Sequence, residues 1–319
     1  MKTITLEEHF VTRGFLDATG PYVGTWQTPE LAAALLDLGA GRIAAMDAAG
    51  VDVQVLSLAS IGWDALPAAT QTKLAREIND ELAAAVRANP TRLAGFATLG
   101  LKDMGAAVAE FERAVGELGF KGALVDGMTD EKFLDAPEFA PLWDAAVRLD
   151  VPVYLHPAPP PKVIADVYYA GMPGGVGQLL SIAGWGWHAE TGLHLLRLIC
   201  SGLFERLPAL RLIVGHMGEG VPYALARSSG ILSPAAKLPH TVAEYLKRNV
   251  WITTSGYFTA EPFRCAREVV GTDRLLYSID YPFSAATKGQ AFLELVRGEL
   301  SETEMDGFAG GIAAELLNV

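Results

Sequence analysis

Short runs rich in β-branched and aliphatic residues recur along the chain, each followed by apolar positions at helical spacing. Eight such runs stand out: 3–9 (ITLEEHF), 51–59 (VDVQVLSLA), 92–100 (RLAGFATLG), 121–127 (KGALVDG), 151–157 (VPVYLHP), 211–218 (RLIVGHMG), 250–256 (VWITTSG) and 274–280 (RLLYSID). Between them, Leu74, Ile78, Leu82 and Val86 form one apolar stripe, and Val108, Phe111, Val115 and Leu118 form another. Strand and helix in alternation predict parallel strands joined by crossover helices. Eight units of this kind can close into an α/β fold of the (β/α)8 TIM-barrel type, with a doubly wound open sheet as the alternative. No linker-like stretch divides the pattern, so residues 1–319 read as a single domain.

Composition adds boundaries to this picture. Half of the residues are hydrophobic, enough for a large core, and no run of about eighteen uncharged apolar residues suggests a membrane span. The first residues, MKTITLEEHF, place acidic groups where a secretory signal has its apolar stretch, so a cytoplasmic location is expected. A formal charge of −12 argues against nucleic acid as a partner, because phosphate neutralisation needs clustered Lys and Arg. Cys200 and Cys265 are expected to be reduced.

The chemistry-bearing residues gather at predicted strand ends. Glu7 and His9 lie on the first strand, His156 on the fifth, His216 on the sixth and Asp280 on the eighth. In a barrel these C-terminal ends meet at one mouth, so residues more than 270 positions apart become neighbours. Glu7 and His9 are two apart and leave a strand on one face, while Glu8 points the other way; a one-residue slip of register would exchange the two carboxylates. Two carboxylates and two imidazoles, Glu7, His9, His156 and Asp280, suit one divalent ion, either zinc or manganese, with no organic cofactor. His216 and Glu219, three apart in GHMGEG, are expected to pair beside it. His188, His194 and His240 lack a partner at strand-end spacing and read as structural. Arg227 is a candidate for an anionic substrate. The irregular stretch from Ala158 to Trp187 follows the fifth strand and is expected to roof the substrate, with Trp185 as a contacting aromatic.

The strings LEEHF, YLHP, SGLFERLPALRLIVGHMGEG, TTSG and SIDYPF together resemble the amidohydrolase-related, metal-dependent decarboxylases of hydroxybenzoates, such as γ-resorcylate and 2,3-dihydroxybenzoate decarboxylases. The resemblance spans nearly the whole chain and is densest from Gly192 to Phe283. It implies metal ligation by Glu7, His9, His156 and Asp280, with His216 and Glu219 beside the ion, a small aromatic acid as substrate, and a homodimer or homotetramer. The chain departs from the family's wording at Asp126, where ALVNG is common, at Ser229, and in HPAPPPK after His156. These positions ring the expected pocket, which makes Asp126 a candidate substrate contact.

The reaction so implied is non-oxidative decarboxylation, with the acid's carboxylate and ortho hydroxyl on the metal and Asp280 protonating the ring carbon. His216 and Glu219 then tune the proton supply. The rival reading is metal-assisted hydrolysis of a lactone, ester or amide, in which Asp280 takes a proton from bound water. Such hydrolases usually carry His-x-His on the first strand and, when binuclear, a lysine at the end of the fourth; this chain has Glu7 and His9, and Asp126 near that end.

Overall fold

The computed structural model describes residues 1–20 and 28–319. These residues form nine parallel strands: β1 (Ile4–Phe10), β2 (Val53–Leu58), β3 (Leu93–Gly95), β4 (Ala97–Thr98), β5 (Ala123–Asp126), β6 (Val153–His156), β7 (Leu212–Val214), β8 (Val250–Thr253) and β9 (Leu275–Leu276). They form two ladders, β1-β2-β3 and β4 through β9. The first break is local. β3 and β4 are the two halves of the strand expected at 92–100, and Phe96 between them still donates its N–H to Leu56 O of β2 at 2.9 Å.

The second break is closed mainly by side chains. Leu6 N and Glu7 N donate to Ser278 Oγ, Ile279 N and Tyr281 N donate to the Glu8 carboxylate, and His9 N donates to Tyr281 O. These bonds seat the chain beyond β9 against β1, giving the eight staves of a (β/α)8 barrel. They also explain why β9 is so much shorter than the 274–280 run. Ser278 and Thr254 side chains take over backbone groups that a regular ladder would pair, with Ser278 N donating to Thr254 Oγ1 and Thr254 Oγ1 donating to Ser278 O.

The helices cover the outside. Leu74, Ile78 and Leu82 are buried on the helix Ala68–Ala88, with Val86 half-buried on the same face. The helix Met104–Gly116 starts where Asp103 accepts the N–H of Ala106, and it buries Phe111 while Val108 and Val115 pack partly. Inside the staves lies a separate apolar layer that includes Ile4, Leu6, Val55, Phe96, Leu124 and Ile213. The C-terminal helix Ile312–Leu317 plugs this layer with Ala313, Leu316 and Leu317. No helix among the described residues is long and apolar enough to cross a membrane. Both cysteines are free thiols.

Candidate metal centre

An irregularity in β1 decides which carboxylate faces the barrel axis. The β1–β2 register runs Ile4 with Val53 and Thr5 with Gln54, then resumes as Glu8 with Leu56, so β1 holds one extra residue there. Strict alternation from Ile4 and Leu6, which belong to the inner layer, would send Glu8 inward. The bulge shifts the alternation by one and turns Glu7 and His9 inward instead.

Above the apolar layer the ligand atoms of Glu7, His9 and His156 all lie within 4.8 Å of one another. His156 Nε2 is 3.4 Å from Glu7 Oε1, and His9 Nε2 is 3.4 Å from Asp280 Oδ1. The far side of each ring is tied back. His156 Nδ1 meets Asp126 Oδ1 at 3.1 Å and His9 Nδ1 meets Ser57 Oγ at 3.3 Å, so both Nε2 atoms are aimed at the shared centre. Asp126 sits in register with His156 across the β5–β6 ladder and is the partner of its imidazole, a role the sequence reading did not give it.

Glu7 is wholly buried, and its two oxygens have different surroundings. Oε2 accepts hydrogen bonds from Tyr154 Oη and from Thr253 Oγ1, whereas Oε1 is buried with no hydrogen-bond partner. The position of Gly215 belongs to this arrangement, because a Cβ there would stand 2.5 Å from Glu7 Oε2 and 2.9 Å from Tyr154 Oη. A buried carboxylate oxygen with no hydrogen bond costs on the order of 1–3 kcal/mol unless positive charge, a protonated imidazole or a bound cation, sits beside it. The donor set fits that role: two carboxylates and two imidazoles balance a divalent ion in charge and match it in hardness.

His216 stands next in the ring. Its Nδ1 is 2.9 Å from Glu219 Oε1 and 3.6 Å from Glu7 Oε1. The other Glu219 oxygen meets His188 Nδ1 at 2.5 Å, and the His188 and His216 rings are 4.9 Å apart. His188, read as structural from its helical context, is thus part of the site. Trp187 donates its Nε1–H to His188 Nε2 at 3.2 Å, while Trp185, the aromatic expected to contact substrate, is exposed. Arg227 also lies away from this set, exposed on the helix Val221–Ala236 and without a hydrogen bond or ion pair among the described residues. His194 keeps its structural role, accepting the N–H of Leu134 at 2.9 Å. The Ala158–Trp187 stretch forms two short helices, Lys162–Tyr168 and Val176–Ser181, and exposes Val167, Tyr168 and Leu179.

Electrostatics follow from burial and crowding. Burial alone would raise the Glu7 carboxyl, but His216, His156 and His9 hold it well below the usual range. Burial and the neighbouring His156 lower His9 to about 3, so its imidazole stays neutral. Burial opposes charge on His216 as well, yet Glu7 and Glu219 raise it to about 9. The Asp280 carboxyl is pushed far up by burial and by Glu7. Asp280, His216, Met217 and Glu219 all take positive φ, at 70°, 49°, 55° and 55°. Strain of this kind costs on the order of 1–3 kcal/mol per residue and concentrates at functional sites.

A family model described as amidohydrolase matches residues 15–319. The chain belongs to the amidohydrolase family. The decarboxylase orsB of Emericella nidulans is 37% identical to it, covering 99% of this chain and 97% of that one. The γ-resorcylate decarboxylase of Polaromonas sp. is 36% identical over 99% of this chain and 98% of its own. Among solved structures, a dihydroxybenzoic acid decarboxylase from Polaromonas sp. with bound manganese and the inhibitor 2-nitroresorcinol superposes with a TM-score of 0.91. It is 34% identical, with 99% of this chain and 97% of that one covered.

Two further residues gathered here carry a signal in the sequence. Tyr154 precedes His156 by two, so the strand period alone places both on the inner face. Thr253 likewise ends its strand in TTSG. His188 has no such signal, because its helix begins after a long irregular stretch and only the packing of that helix brings it to the mouth.

Proposed function

We propose that this amidohydrolase is a divalent-metal-dependent carboxy-lyase that removes carbon dioxide from a hydroxylated aromatic acid. The observation that supports it most is the unpartnered Oε1 of Glu7, buried at the mouth among His9, His156 and His216, in a chain akin over its whole length to named decarboxylases. Glu7, His9, His156 and Asp280 would hold the ion, manganese being present in the Polaromonas structure and zinc fitting the same donors. When bound, the ion supplies Lewis-acid polarisation of the acid's carboxylate and ortho oxygen.

The chain's own groups handle the proton. Asp280 delivers it to the ring carbon that bears the carboxylate; that carbon becomes tetrahedral, and the C–C bond to the carboxylate then breaks. Its electron pair returns to the ring as carbon dioxide leaves. The His216–Glu219–His188 chain of hydrogen bonds resupplies the proton at the mouth. Asp126 and Ser57 keep the two ligand imidazoles turned, and the Tyr154 and Thr253 hydroxyls keep Glu7 Oε1 free to ligate. The same reading includes a homo-oligomer, a cytoplasmic location and one ion per subunit. The exposed Val167, Tyr168 and Leu179 support self-association.

Carbon dioxide release from a panel of hydroxybenzoates, set against hydrolysis of lactone and amide panels, is the deciding measurement. Release that disappears with a chelator and returns with Mn²⁺ or Zn²⁺ is expected, along with loss of about 10²–10⁴-fold in Asp280→Asn. Turnover of the lactone or amide panel alone would move the assignment to a hydrolase, and full carbon dioxide release by Asp280→Asn would remove Asp280 as the acid.

A further inference from the structure

We infer that Glu8 is a positioning residue for Asp280, holding the N–H groups of the residues on either side of it so that its carboxyl stays aimed at the mouth. The inference rests on the reading of Asp280 as a metal ligand and proton carrier.

The two oxygens of Glu8 have one task each. Oε1 accepts the N–H of Ile279 at 2.9 Å, and Oε2 accepts the N–H of Tyr281 at 3.0 Å. These are the N–H groups of the residues on either side of Asp280. Ser278 Oγ is a third donor to the carboxylate, reaching Oε1 at 3.3 Å, and Tyr281 O accepts the N–H of His9 at 2.7 Å. The segment holding Asp280 is thereby fastened to the segment holding Glu7 and His9, the other two ligand candidates at this seam.

Such a fastening is needed because regular structure stops short of Asp280. β9 ends at Leu276, and Asp280 takes a left-handed φ of 70° that no ladder enforces in an L residue. A side-chain carboxylate, with two acceptor atoms at one end, can serve both flanking N–H groups where a single strand carbonyl would serve one. The β1 bulge makes this available: the extra residue that turns Glu7 and His9 inward turns Glu8 into the seam. One local irregularity therefore places two ligands and the clamp for a further one. Arg42, fully buried, donates to His9 O at 2.7 Å and lies over the Tyr281 ring, and its charge partly offsets the burial that raises the Glu8 carboxyl to about 7.

Glu8→Gln tests the clamp with almost no change of shape. Its amide offers one acceptor oxygen and turns an NH₂ toward the other peptide N–H, so one flank of Asp280 is released. The readout is the affinity of chelator-stripped protein for Mn²⁺, followed by electron paramagnetic resonance, for wild type, Glu8→Gln, Asp280→Asn and the double variant. A loss of about 10–100-fold is expected for Glu8→Gln, the range for partners that orient metal ligands. The double variant is expected to bind no more weakly than Asp280→Asn alone, since Glu8 acts through Asp280.

Wild-type affinity in Glu8→Gln, or losses that add in the double variant, would overturn the inference while leaving Asp280 as a ligand. Wild-type affinity in Asp280→Asn would instead overturn the ligand reading itself. Should Glu8→Gln not fold, Glu8→Asp, which keeps the charge but shortens the reach, goes through the same cycle under the same criteria.

Discussion

The barrel interior contains two layers built on the same strands, and they obey opposite rules. In the lower layer Ile4, Leu6, Phe96, Leu124 and Ile213 fill the space and the C-terminal helix closes it. In the upper layer Glu7, His9, His156, His216 and Asp280 face one another across 3.4 to 3.6 Å, with a carboxylate oxygen left without a hydrogen bond and four residues at positive φ. Tyr154 spans the two, its ring against Phe96 and its hydroxyl on Glu7. The lower layer supplies buried apolar packing that keeps the chain folded, and the upper layer is built on it. Apolar packing below and crowded, mutually paired charge above divide stability from function along a single strand.

The sharpest way to break this division is Phe96→Ala. A large ring removed from the sealed layer should cost about 3–5 kcal/mol of unfolding free energy in denaturant titration. Mn²⁺ affinity of the protein that remains folded should stay as in wild type. A tenfold loss of affinity there would show that the layers are not separable.

The opposite dissociation is expected of Asp126→Asn, which touches only the upper layer through His156. Mn²⁺ binding should weaken by about 10–100-fold, while the melting temperature changes little. A large fall in melting temperature with metal binding intact would place Asp126 in the folding core instead.

A histidine outside both layers supplies the smallest effect and a control. His194 is buried and neutral, with burial lowering it to about 3 from an ordinary 6.5. Between those pH values the unfolded chain binds a proton that the folded chain refuses, so stability from this group is present above pH 6.5 and is lost on acidification. The slope is about 1.4 kcal/mol per pH unit. His194→Gln, which keeps an acceptor for Leu134 N–H, should flatten unfolding free energy against pH between 6 and 5 by roughly that amount. An unchanged slope would mean that His194 titrates freely in the folded protein.

Much of this was legible along the chain. The alternation of β-rich runs with helical stripes predicted the barrel, and Leu74, Ile78 and Leu82 turned inward as their spacing requires. Glu7, His9, His156, His216 and Asp280 were marked by standing at strand ends and Glu219 by its spacing from His216, and the structure brings all six to one mouth. Periodicity can do this because strand direction and side-chain alternation are local properties of the backbone.

Other outcomes depended on distances that no local rule contains. The bulge that sends Glu7 inward and Glu8 into the seam is set by pairing with β2 and with residues 278–281, some 270 positions away. Asp126 turned to His156, Trp185 and Arg227 remained at the surface, and His188 joined Glu219, each according to which element packed beside it. Sequence by itself determined the elements and the chemical inventory, since both follow from residue type and spacing. Only the closed barrel decided which of those groups meet, because a contact across the mouth is fixed by how the staves join.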